Sequence, residues 1–192
     1  DNGIKIKKPL QVNEPIFPKH IEVVKEINNM VLKKSIHKVK AMLNQASISL
    51  NSEFNIEFSH HYGADKFAEV GALIIDCINR QYCKKLIVVL PGQKHPSHYH
   101  KRKEETFQVL SGIFDCKVGG HRKTLYPGET ALVQPGVWHE FWSKSGCILE
   151  EVSTTHFKND SVYKDKKINN LDLTERKTIV KNWGRYELVE ND

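Results

Sequence analysis

Between Lys85 and Val152 the chain breaks into short apolar runs separated by glycine and proline turns, and no other pattern restricts the fold more. The runs are Lys85–Leu90, Thr106–Leu110, Ile113–Val118, Thr130–Val133 and Cys147–Val152. Pro91-Gly92, Ser111-Gly112, Gly119-Gly120, Pro127-Gly128, Pro135-Gly136 and Gly146 punctuate them. Apolar runs this short, bounded by turn residues, read as strands. Short strands at this spacing make a sandwich or a small barrel. Phe54, Ile56 and Phe58 alternate like a further strand, followed by a helical or turn-rich stretch through Phe67 and Val70.

Upstream the period changes. Ile21, Val24, Ile27, Val31 with Leu32, Ser35, Val39, and Met42 with Leu43 recur at helical spacing, while Lys25, Lys33, Lys34 and Lys40 fall mostly elsewhere on the helix. Pro18 suits the first turn of that helix. Residues 1–18, with Pro9, Pro15 and Pro18, read as an extended arm. The apolar stripe packs against a core or a partner subunit. The polar C-terminal segment carries Ile168, Leu171, Leu173, Ile179, Val180 and Trp183, enough apolar surface to dock on a barrel. No linker marks a boundary. Residues 1–50 are therefore expected to be an arm and an amphipathic helix, and 51–192 a barrel with a C-terminal extension, in a single structural domain; 192 residues suit one core.

Composition excludes several classes of function. Hydrophobic residues make up 39% and charged residues 27%, with no apolar run near the ~18 residues of a membrane span. The net charge of +6 comes from scattered lysines, among them Lys84, Lys85, Lys101 and Lys103, which form no stripe and have no aromatic interleaving. That pattern argues against a nucleic-acid partner, although a basic mouth for an anionic substrate stays open. Cys77, Cys83, Cys116 and Cys147 lack C-x-x-C spacing and lie in or beside apolar runs, as buried reduced thiols do. A cytoplasmic protein fits best, with disulfides in an exported protein as the alternative. The first residue is Asp1 rather than Met, as in a piece of a longer protein or a processed chain.

The chemistry concentrates in the stretch from Pro91 to Gly112. His98 and His100, two apart, point to one face of a strand and can approach one metal together. Glu105 follows just before an alternating run, so a short turn can bring its carboxylate beside them. A fourth ligand is expected from a separate strand, and the segment Gly128–His139 supplies His139. Imidazoles with one carboxylate suit one divalent ion of Mn, Zn, Fe, Ni or Co and leave positions open for substrate.

These segments resemble the two motifs of the cupin superfamily. A glycine, five residues, His-x-His, four residues, Glu, six residues and a glycine are matched by Gly92, His98, His100, Glu105 and Gly112. Gly128, Gly136 and His139 match the second motif, while Gln134 and Trp142 replace its usual proline and asparagine, neither of them a ligand. The resemblance, over about a quarter of the chain, implies a mainly β fold, the RmlC-like jelly-roll barrel. It carries an N-terminal helix and a polar C-terminal extension.

Two further features resemble the metal-dependent D-lyxose isomerase type of cupin: Lys103, two residues before Glu105, and the segment Glu151-Val152-Ser153 after the last histidine. The resemblance implies an aldose–ketose isomerase working through an enediol. Glu151 would carry the proton, and Lys103 would stabilise the enediolate or assist that transfer. The same features resemble the cupin region attached to sialic-acid-synthase-like proteins, where a non-catalytic sugar-binding domain is the alternative. An iron-dependent dioxygenase is a third reading, because three histidines and a glutamate also suit iron. In the first two the small-molecule partner is a sugar or sugar derivative. The arm and helix can reach across a homodimer. His95 reads as a turn residue near the pocket mouth, His60 and His61 as hydrogen-bonding residues, and Trp138, Phe141 and Trp142 as packing or sugar-stacking rings.

Overall fold

The computed structural model describes residues 23–24, 29–51, 54–181 and 183, so the arm expected over 1–18 lies outside the described residues. In chain order the elements are β1 (Val23–Val24), α1 (Met30–Gln45), β2 (Asn55–Ser59), β3 (Ala72–Asn79), β4 (Tyr82–Val89), β5 (Lys94–His100) and β6 (Glu105–Gly112). Then follow β7 (Phe114–Val118), β8 (His121–Leu125), β9 (Thr130–Val133), β10 (His139–Trp142), β11 (Cys147–Thr154) and β12 (Ser161–Tyr163). Two single-turn helices, α2 (Lys166–Asn169) and α3 (Leu173–Arg176), precede β13 (Lys177–Val180). The strands form two facing sheets, β1-β13-β2-β3-β4-β11-β6-β9 and β12-β5-β10-β7-β8, the jelly roll expected from the sequence.

Alternation along the strands sorts the core into two layers. Ile87, Val89, Phe107, Val109, Phe114, Phe141 and Leu149 point between the sheets and fill one end of the barrel. Phe58, Leu73, Ile75, Leu86, Val88 and Ile148 point out of the larger sheet and meet Leu32, Ile36, Val39 and Leu43 of α1. The run Leu86–Leu90 is unbroken because both faces of β4 are covered. Gly112, at φ 81°, tolerates no side chain, because a Cβ there would run into the Gly146 carbonyl.

Two expectations change. The helix runs from Met30, where the Asn29 side chain accepts the Val31 and Leu32 N–H groups at 2.9 and 3.2 Å. Val24, expected on the helical stripe, pairs instead with Val180 in β1, parallel to β13; Pro18, Ile21 and Ile27 fall outside the described residues. The C-terminal extension also does more than dock. β12 pairs with β5 and β13 with β2, so the tail supplies part of both sheets.

Among the described residues no helix is long and apolar enough to cross a membrane, and the four cysteines are unbridged. Ile36 is fully buried between α1 and the larger sheet. Ile36→Ala is expected to lower the free energy of unfolding by about 2–4 kcal/mol, seen in urea titration as a lower midpoint at unchanged slope. A loss below about 0.5 kcal/mol would mean that the helix does not share the barrel's core.

Candidate metal centre

Alternation along β5 puts His98 and His100 on the inner face with Tyr99 between them facing out. Antiparallel pairing of β10 with β5 sets His139 directly opposite His98, and their rings lie 4.0 Å apart between centroids. These three histidines belong to the smaller sheet. Glu105 reaches them from the larger sheet, at the first residue of β6. The turn between β5 and β6 is pinned by Asp160, whose carboxylate accepts the Arg102 and Lys103 N–H groups at 3.0 Å each and whose carbonyl accepts that of Lys101. All four side chains expected as ligands are buried, with one ligand atom of each within 4.8 Å of the others.

The protonation pattern suits a cation. His98 and His139 each direct Nδ1–H at the carbonyl two residues earlier, Pro96 at 3.0 Å and Val137 at 3.1 Å. His100 Nδ1 faces Ser161 Oγ at 3.1 Å, with Asp160 at 3.7 Å. Nε2 of His98 and of His139 is thereby left with its lone pair pointing inward, the outer-contact arrangement of metal-bound histidines. Glu105 Oε1 and His139 Nε2 lie 2.9 Å apart, yet neither atom has a hydrogen-bond partner. Two lone-pair atoms face a shared point. Ligands about 2.0–2.2 Å from one ion lie up to about 4.4 Å apart, so the cluster needs only a small contraction to close on one.

Electrostatics favours the same assignment. Burial, followed by the neighbouring His139, His95 and His100, holds His98 well below the usual histidine range. Burial and then Lys103 lower His100. Burial alone would raise Glu105, but Lys103 and the contacts with His100 and His139 outweigh it and keep the carboxyl ionised. Neutral imidazoles beside a carboxylate are the protonation states a divalent ion requires.

Lys103 and Glu151 are 3% and 4% exposed, so neither is a surface side chain. Lys103 Nζ lies 2.5 Å from Glu105 Oε2 and 2.8 Å from Glu151 Oε1. Ser153 Oγ also donates to Glu151 Oε1, at 3.2 Å. Burial would lower the lysine, but Glu105 and Glu151 raise it, and it stays an ammonium. All six residues singled out from the sequence therefore converge. Lys103, Glu105, Glu151, His98 and His100 line one cavity, with about 50 Å³ open to water-sized groups, room for a few water molecules.

Other side chains in this cavity carry no local sequence signal. Lys85, counted from the sequence among the scattered lysines, is buried and faces Asp76 at 3.5 Å; Asp76 is raised to about 6 by burial against the pull of Lys85. His95 is no exposed turn residue: it is buried and stacks on Phe141, centroids 4.6 Å apart. His61 Nε2 lies 2.9 Å from the hydroxyl of Tyr163, whose ring stacks on His98. His60 bonds Thr178 instead. Of the three aromatic residues around His139, Phe141 lines the cavity, whereas Trp138 is exposed and Trp142 lies on the outer face of the smaller sheet.

Residues 85–150 match the cupin domain family. The D-lyxose/D-mannose isomerase of Thermosediminibacter oceani is 26% identical, over 73% of this chain and 94% of the relative. That of Escherichia coli O157:H7 is 23% identical over 68% of each. The solved L-ribose isomerase of Cellulomonas parahominis with L-ribose superimposes with a TM-score of 0.62 at 14% identity, over 81% of this chain and 99% of that one. The Acinetobacter sp. DL28 L-ribose isomerase in complex with L-ribose gives 0.61 at 13%, over 83% and 100%. At such identity the structural likeness speaks for the fold alone. The matched stretch lies within two sheets that close into a jelly roll, so the chain has a cupin-like fold of the kind seen in the solved L-ribose isomerases.

Proposed function

We propose that this protein is a metal-dependent isomerase that interconverts an aldose and its ketose through an enediol. The observation that carries the proposal is the coupling of Glu151 to the ligand cluster: Lys103 holds a second carboxylate beside the one that would bind metal. Ligand binding alone does not call for that second carboxylate. The relatives named for D-lyxose and D-mannose point to a neutral pentose or hexose as substrate.

In this proposal His98, His100, Glu105 and His139 hold one divalent ion of Mn, Zn, Fe, Ni or Co. When bound, the ion supplies Lewis acidity that polarises a carbonyl and the neighbouring hydroxyl. Glu151 takes the proton from the hydroxyl-bearing carbon, and the electron pair of that C–H bond becomes the C=C bond of the enediol. The carbonyl oxygen gains a proton as charge moves onto it, and the neighbouring hydroxyl loses one as the new carbonyl forms. Glu151 then returns its proton to the adjacent carbon, so no oxidant or reductant is consumed. Lys103 donates to Oε1 of Glu151, so in this reading Oε2 carries the travelling proton. The Lys103 ammonium also places positive charge beside the developing enediolate.

Two measurements test this. Purified protein loaded with Mn is expected to retain one ion per chain by elemental analysis, and His100→Ala and His139→Ala to retain less than about a tenth of that, since each removes a ligand. Ion present at about 100 times its dissociation constant should stabilise the wild type by about 2.7 kcal/mol and the variants by almost nothing. Equal retention in all three would remove the cluster as the binding site. Glu151→Gln is expected to keep the ion and lose about 10²–10⁴-fold in kcat/KM on D-lyxose or D-mannose. Undiminished turnover in that variant would take Glu151 out of the mechanism.

A further inference from the structure

Across the cavity from the metal cluster, β2 and β13 bring in two charged side chains that proton transfer does not use. Lys177 Nζ pairs with Glu57 Oε1 at 2.6 Å. Both residues line the cavity that holds Glu151 and the ligands. Beside them the loop between β11 and β12 contributes His156. Its backbone is clamped by Asn79, which accepts from the His156 N–H at 2.9 Å and donates to its carbonyl at 3.1 Å. The His156 ring lines the cavity, and its Nδ1 is buried with no partner.

A buried polar atom left unpaired costs about 1–3 kcal/mol, so the unpaired His156 Nδ1 on the cavity wall points to a polar occupant. An ammonium beside a carboxylate offers donor and acceptor together, which matches a hydroxyl group and repels neither of its roles. The lining has no excess charge with which to select an anion: Lys85, Lys103 and Lys177 face Glu57, Glu105 and Glu151. In the larger sheet, β2 is separated from β11 by β3 and β4. The register aligns Glu57 with Leu149, two residues from Glu151, so three strand spacings of about 4.8 Å and an offset of about 7 Å put the two backbones about 16 Å apart. Inward-reaching side chains from both sides narrow that gap to the span of a short carbon chain.

We infer that Glu57 and Lys177, with His156, form a distal subsite that binds the hydroxyl groups at the non-reacting end of a neutral open-chain sugar. The inference rests on the isomerase proposal above. Because the subsite stands at a fixed distance from Glu151, it sets the length of sugar the cavity accepts. The C-terminal strand thereby becomes a determinant of specificity.

The test compares metal-loaded wild type, Lys177→Met and the double variant Glu57→Gln/Lys177→Met, which removes both charges and strands neither. For D-lyxose and D-mannose the double variant is expected to raise KM about tenfold with kcat within about threefold, the signature of lost binding shared by ground and transition states. For glyceraldehyde, too short to reach the subsite, KM should not change. An unchanged KM for the longer sugars, or an equal rise for glyceraldehyde, overturns the inference. Should the wild type convert no sugar, the isomerase proposal fails, and calorimetry with xylitol decides the subsite by itself. Binding about tenfold weaker in the double variant retains it; equal affinity, or no binding by the wild type, overturns it. Lys177→Arg keeps the ion pair and gives an independent reading if a variant fails to fold: the ratio of pentose to hexose KM is expected to shift, and an unchanged ratio counts against the subsite.

Discussion

The ammonium of Lys103, wedged between Glu105 and Glu151, is the contact on which the interior of this barrel depends. All three groups are nearly fully buried. Taken singly, each would face a desolvation penalty of several kcal/mol, and removing one member of a buried pair costs about 3–5 kcal/mol. Without the lysine, two carboxylates would meet at close range in a medium that screens poorly. With it, Glu105 stays ionised next to the neutral imidazoles of His98 and His100, and Glu151 is fixed near them by a bond to one of its two oxygens. The bridge thus offsets the cost of the buried charge and sets the geometry of the cluster.

The rest of the fold makes that arrangement possible by dividing the barrel lengthwise. One end is filled by Val109, Phe114 and Leu149. The other keeps the histidines, lysines and carboxylates around a small cavity. Three of the candidate ligands come from one sheet and the fourth from the other, so the cluster also joins the two sheets. α1 seals the outside of the larger sheet, which frees the inner faces of β3, β4 and β11 to carry Asp76, Lys85 and Glu151. The C-terminal strands complete the wall with Tyr163 and Lys177.

What could be read from the sequence follows from how local each signal is. His98 and His100 were legible because a strand's period of two places both on one face, whatever surrounds them. Gly112 is required by a close approach to the Gly146 carbonyl, which makes it a reliable mark within the motif. Lys103 and Glu151 stood out only by resemblance: their side chains meet because β11 lies beside β6, a pairing that no spacing encodes. Lys85, Glu57 and Lys177 carried no signal, since their roles arise only when distant strands close around one cavity. β8 was missed because its outer residues are polar and exposed and it has a single buried side chain, Leu125. The helical stripe was extended too far toward the N-terminus because apolar spacing does not show where the Asn29 side chain caps the first turn.

The central claim is that a carboxylate beside a metal cluster moves a proton between adjacent carbons of a sugar. Isomerisation of D-lyxose in heavy water, followed by NMR of the recovered sugars, tests it most directly. An enediol route through Glu151 predicts deuterium at carbon 1 of the ketose and carbon 2 of the aldose, because the carboxyl proton exchanges with solvent between removal and return. Conversion with no deuterium at either carbon, the result that direct hydride transfer gives, would contradict a proton carried by an exchanging carboxyl.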